Sequence, residues 1–169
     1  MSKNFSDYWE QEISDSIRNN SDMLYLAGNL KGETLPTSIL EIPGLRHLSL
    51  FEINIDMPEW LCDLSNLESL EIEEAQSFKK VLPHLWKLKN LKKLKLAYAD
   101  LDEIPSSLNE LMHLEELNVD GADFEDFPSV SVNSFLDIGL HFKRPFAEAW
   151  FERPGLGLEF CIHAFRSSI

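Results

Sequence analysis

Residues 91–105 read LKKLKLAYADLDEIP and residues 114–128 read LEELNVDGADFEDFP, so the chain states one apolar pattern twice while exchanging lysines for carboxylates. The same frame recurs as LRHLSL from 45, LESLEI from 67, LKKLKL from 91 and LEELNV from 114. SDMLYL from 21 fits with Ser21 in the first apolar place, and FLDIGL from 135 fits through Phe135, Ile138 and Leu140. The starts are 24, 22, 24, 23 and 21 residues apart. A second landmark keeps step: an apolar residue followed by proline at Leu35-Pro36, Met57-Pro58, Leu82-Pro83, Ile104-Pro105 and Phe127-Pro128. A period this regular restricts the chain to architectures built by repetition.

Counting from the start of each copy, apolar residues at positions 4 and 6 alternate with polar ones at 3, 5 and 7. Each copy therefore opens with a short strand that is apolar on one side. Proline ends the strand pattern and turns the chain. The stretches that follow, such as SSLNELMH and EWLCDLSN, space apolar residues three apart (Leu108/Leu111, Leu61/Leu64), which suits a helical turn or a 3₁₀ piece. One such unit cannot bury its own apolar side. Stacking units builds a continuous core and a parallel sheet along one edge.

The LPxxLxxLxxLxxL pattern resembles the leucine-rich-repeat family over residues 21–142. The resemblance implies an α/β solenoid with one short parallel strand per repeat. One departure stands out. The family usually carries Asn or Cys at position 9, where this chain has Asn29, Ile53, Ala75, Ala99 and Ala122. A side-chain ladder at that position is therefore not expected.

A solenoid must cover its two ends. Residues 1–20 read as an N-terminal capping helix, with Ser6 as N-cap and Trp9, Ile13 and Ile17 spaced four apart. Residues 143–169, with Phe146, Trp150, Phe151, Phe160 and Phe165, read as the C-terminal cap of what remains a single domain.

In such a sheet positions 3, 5, 7 and 8 face solvent on the concave side. Neighbouring strands lie about 4.8 Å apart, so Glu71 is expected opposite Lys95 and Lys93 opposite Glu116. Glu52, Glu73, Glu74 and Asp120 have no basic neighbour in their rows. With the aromatics Tyr25, Phe51 and Tyr98 they define an acidic and aromatic face, the composition of a protein-binding surface. The candidate contact residues are thus Tyr25, Phe51, Glu52, Glu71, Glu73, Glu74, Tyr98 and Asp120.

The net charge of −14 favours a basic protein partner and disfavours nucleic acid and anionic membranes. Residues 78–98 run against that balance with seven lysines, a local segment able to dock an acidic patch. No catalytic constellation, metal-ligand spacing or cofactor motif stands out. The five histidines are scattered, and Cys62 and Cys161 sit in apolar contexts that suit buried free thiols. The N-terminus lacks a signal-peptide pattern, which gives an expectation of a cytoplasmic monomer. The resulting functional expectation is a non-enzymatic binding protein of the bacterial immunity type, neutralising a basic toxin by occlusion. An intracellular scaffold or an effector-type interaction domain is the alternative.

Overall fold

The computed structural model describes residues 5–28, 34–53, 55, 57–74, 78–98, 108, 110–119 and 137–139. Position 9 beyond Ile53, Asp120, Cys161 and the expected C-terminal cap lie outside these residues.

Six strands, β1 (Met23–Ala27), β2 (His47–Phe51), β3 (Ser69–Glu73), β4 (Lys93–Ala97), β5 (Glu116–Asn118) and β6 (Asp137–Gly139), form one parallel sheet in sequence order. The register follows the repeat frame: Leu24, Leu48, Leu70, Leu94, Leu117 and Ile138 stand in one row. Positions 4 and 6 are buried from β1 through β4, while positions 3 and 5 are not. The alternation read from the sequence is therefore the alternation of core and open face.

In the first three repeats the return path contains a 3₁₀ segment: Thr37–Glu41, Glu59–Asp63 and Leu82–Lys87. These bring two further apolar rows under the sheet, Ile39/Leu61/Leu85/Leu108 and Ile42/Leu64/Leu88/Leu111, all buried. Pro36 and Pro58 immediately precede their segments with φ of −63° and −77°, the value the ring imposes. Pro83 differs, lying inside Leu82–Lys87, because an extra 3₁₀ turn at Phe78–Lys80 already redirects the chain there. Ile53, the one described residue at position 9, is fully buried and supplies core in its repeat.

Two backbone devices tie the repeats together. At position 2, each carbonyl accepts two N–H groups from the next repeat. Arg46 O takes Glu68 N at 2.8 Å and Ser69 N at 3.0 Å, and Glu68 O takes Lys92 N at 2.8 Å and Lys93 N at 3.0 Å. At the other end, position 8 turns left-handed in every described repeat: Gly28 (φ 117°), Glu52 (54°), Glu74 (62°) and Tyr98 (53°). This turn lets Gly28, Glu52 and Glu74 N–H donate to Phe51, Glu73 and Ala97 O. The sheet's hydrogen bonding thereby continues one residue past the strands.

Helix α1 (Phe5–Asn19) covers the first repeat, burying Trp9 and Ile13 with Ile17 packed beside them. Ser6 is its second residue, not its N-cap, because the helix already includes Phe5. The helix ends in a Schellman motif: Asn20 is left-handed at φ 50°, Asn20 N–H donates to Ile17 O and Ser21 N–H to Ser16 O. Strand β1 is an edge of the sheet, and two of its outward carbonyls are met by side chains. Trp9 Nε1 donates to Ala27 O at 3.0 Å, and Ser21 Oγ to Met23 O at 2.7 Å. An exposed edge would otherwise invite pairing with another chain.

Candidate functional site

The open face carries the rows Met23–His47–Ser69–Lys93–Glu116, Tyr25–Ser49–Glu71–Lys95–Asn118 and Ala27–Phe51–Glu73–Ala97. Position 8 adds Gly28, Glu52, Glu74 and Tyr98 along one rim. All described members of the expected contact set thus lie on this face or its rim. The set nevertheless divides in two.

Glu71 and Glu73 are held by lysines of the next strand. Lys93 Nζ is 3.0 Å from Glu71 and 3.5 Å from Glu116, and Lys95 Nζ is 3.3 Å from Glu73. Row counting left Glu73 without a partner; the structure corrects this, because a lysine side chain reaches two residues along the neighbouring strand. Hydrogen bonding to Glu71, with Glu116 adding to it, pushes the Lys93 ammonium above its ordinary range despite some desolvation. Glu52 and Glu74 are different: both are exposed and neither makes an ion pair with a described residue.

Three further lysines of the segment are committed in the same manner. Lys87 reaches Asp63 at 2.9 Å, Lys89 reaches Glu110 at 3.4 Å and Lys92 reaches Glu68 at 2.6 Å. Lys89 also lies over the Trp86 ring, 5.2 Å from its centroid. The Lys92 hydrogen bond holds the Glu68 carboxyl below its ordinary range, and the Asp63 bond raises Lys87. These five lysines present no free stripe of charge for a phosphate backbone.

Large apolar side chains are exposed at one end of the sheet. Met23 and Tyr25 of β1 are 63% and 54% exposed, and Tyr8 of α1 is 44% exposed. Burial and the Glu12 carboxylate raise the Tyr8 phenol, with Tyr25 contributing further; the hydrogen bond from Trp9 Nε1 to Ala27 O ties the helix that carries Tyr8 to the strand that carries Met23 and Tyr25. Phe51 is half-buried, and Tyr98 is 56% exposed on the rim.

A polar groove of about 490 Å³ runs beneath the strand starts, lined in part by Arg46, Asn66, Glu68, Asn90, Lys92 and His113. Its charges satisfy one another: Glu68 lies 2.6 Å from Lys92 and 3.8 Å from Arg46. Asn90 Nδ2 donates to Ser65 O at 2.9 Å, linking adjacent repeats from the residue before position 1. The sequence reading missed this role, although Asn20, Asn66 and Asn90 share that place. Cys62 is a buried free thiol whose Sγ lies 3.8 Å from Val81 O; burial pushes it up to about 11, with Lys87 opposing in part. Such a thiol is a poor nucleophile. No helix among the described residues is long and apolar enough to cross a membrane.

The stacked strand–turn–3₁₀ units define a repeat solenoid of the α/β class. The fold is that of the leucine-rich-repeat proteins, and comparison with known proteins agrees. Over 101 residues, 57% of this chain, it is 37% identical to the volume-regulated anion channel subunit LRRC8B of Homo sapiens and 36% identical to that of Mus musculus. The chain spans 13% of the length of these relatives. The structure of a leucine-rich-repeat protein from Leptospira interrogans superposes with a TM-score of 0.54 at 23% identity, over 63% of this chain and 27% of that one. No family model matches the chain.

Proposed function

We propose that this chain is a non-enzymatic protein-binding module that docks a cationic protein on its open sheet face. In its most specific form the reading is an immunity protein that occludes a basic toxin in the cytoplasm. The observation that carries it is the division of the face. Tyr25, Phe51, Glu52, Glu74 and Tyr98 are uncommitted, whereas Glu71 and Glu73 are neutralised within the fold. Six strands at about 4.8 Å give a face roughly 24 Å wide, enough for a standard interface of about 800 Å² per partner. The net charge of −14 supports fast encounter with a basic surface.

Expression of the adjacent reading frame, alone and together with this chain, tests the toxin form. A toxic neighbour rescued by the wild-type chain and not by the Glu52→Lys/Glu74→Lys variant supports it. A harmless neighbour, or rescue that survives this double reversal, overturns it.

A further inference from the structure

We infer that the recognition surface begins on the capping helix, where Tyr8, Met23 and Tyr25 seat one large apolar side chain of a partner segment and the carboxylates around them receive an adjoining arginine or lysine. This rests on the protein-binding reading and specifies where, and by what chemistry, the partner is held.

Positions 3 and 5 of the sheet are apolar only in β1. In β2 to β5 they are His47, Ser49, Ser69, Glu71, Lys93, Lys95, Glu116 and Asn118. A solenoid has no structural need for Met23 and Tyr25 on its solvent side, since Leu24 and Leu26 already fill the core from the same strand. Nor does the capping role of α1 need Tyr8, because Trp9 and Ile13 close the apolar end. Trp9 fixes the helix to the strand through its hydrogen bond to Ala27 O, so the ring beside it is carried on a rigid support. Tyrosine and methionine together suit an anchor site: the rings give broad contact at low entropic cost, and the thioether adapts to shape.

Charge selects the kind of partner. Among the described residues from 5 to 53 the lysines and arginines are Arg18 and Arg46. Arg18 is paired with Asp15 at 2.7 Å and Arg46 lies 3.8 Å from Glu68. Asp7, Glu12 and Asp22 make no ion pair with a described residue. The patch is therefore apolar, bordered by acid, and without uncommitted lysine or arginine among those residues. A segment with an aromatic or aliphatic residue next to a basic one is its complement; an acidic segment is excluded by repulsion.

The test is a selection of displayed twelve-residue peptides on the immobilised full chain, followed by affinity measurement of the enriched peptides. The expected consensus joins a large apolar residue to Arg or Lys. Tyr8→Gln and Tyr25→Thr should each weaken these peptides by about tenfold or more, and Lys93→Ala should leave them unchanged. Tyr8 and Tyr25 are exposed, so both tyrosine variants should keep the wild-type melting temperature, while Lys93→Ala should lower it slightly through its lost ion pairs. Peptides that bind both tyrosine variants like wild type, but lose affinity on Phe51→Ser or Tyr98→Ser, overturn this site while leaving the open face as a docking surface. Enrichment of acidic peptides, or of none, overturns both.

Discussion

Lys95 stands opposite Glu71 in the strand register, yet its ammonium binds Glu73, 3.3 Å away and two residues further along the neighbouring strand. Lys93 repeats the geometry, passing its register partner Ser69 to reach Glu71 at 3.0 Å. Both side chains lean toward the C-terminal ends of the strands, which leaves Glu74, just past β3, uncommitted and Glu73 paired. A double-mutant cycle with Glu73→Gln and Lys95→Met should give a coupling of about 0.5 kcal/mol. The coupling should shrink in 1 M salt, where screening is short-ranged. Glu73→Lys should lower stability further by setting two ammonium groups together, whereas Glu74→Lys should leave the melting temperature unchanged.

The left-handed turn at position 8 makes its residues unequal to ordinary surface sites. Glu52→Gly relieves backbone strain and loses unfolded-state restriction, so its stability should stay within about 0.5 kcal/mol of wild type. Glu52→Ile forces a β-branched residue into the same turn and should cost about 1 kcal/mol or more. Urea midpoints at constant slope will separate the two outcomes.

Cys62 links stability to alkaline pH. Its folded-state value rises from 9.0 to about 11 because burial penalises the thiolate. Below pH 9 both states hold the proton and the group contributes nothing. Between pH 9 and about 11 the unfolded chain loses its proton while the folded chain keeps it, so stability should fall as pH rises. Lys87 and Lys93, raised above 10.5 by their carboxylates, lose their stabilising contribution in the range above that value. Cys62→Ala should flatten the decline from 9 to 11 and leave the later loss. Iodoacetamide should modify Cys62 only on unfolding.

Core and cap make separable contributions. Leu94 is fully buried, and Leu94→Ala should cost about 2–5 kcal/mol through the lost contacts and the cavity. Trp9→Phe keeps a ring but removes the donor to Ala27 O. It should cost about 1 kcal/mol for that bond, and it should speed amide exchange along β1 before any other strand.

Association should report the uncommitted acids. With a basic partner, Glu52→Lys/Glu74→Lys should slow the on-rate and reduce its salt dependence. Glu71→Gln, which removes an acid already paired with Lys93, should change the on-rate little. Stopped-flow measurements at two ionic strengths distinguish them.

The sheet was legible because position 4 and position 6 recur with a fixed phase, and that phase sets strand, register and buried side together. What escaped depended on side-chain length and backbone handedness. Glu73 reads as unpaired when only facing residues are counted, since the reach of Lys95 along the strand has no letter of its own. The left-handed turn was hinted at by Gly28 but hidden by Glu52, Glu74 and Tyr98, which adopt it without being glycine. Ser6 read as a cap because a serine ahead of an apolar four-residue spacing is ambiguous by one or two places. The aromatic and acidic residues of the open face were legible from the strand phase, whereas the exposure of Tyr8 was not, because it stands on another element.

Lys87, Lys89, Lys92, Lys93 and Lys95 are met by carboxylates of neighbouring repeats, and this has a consequence for how such a chain can change over time. In an array of consensus units any copy can be duplicated, deleted or moved, because each interface is the same. Here a second copy of the fourth repeat would set Lys93 and Lys95 against their own duplicates. Its deletion would bring Glu71 and Glu73 of the third repeat beside Glu116 of the fifth. The order of the units is written in their charges, so duplication or loss of this unit sets like charges side by side, a cost that neutral neighbours would not meet.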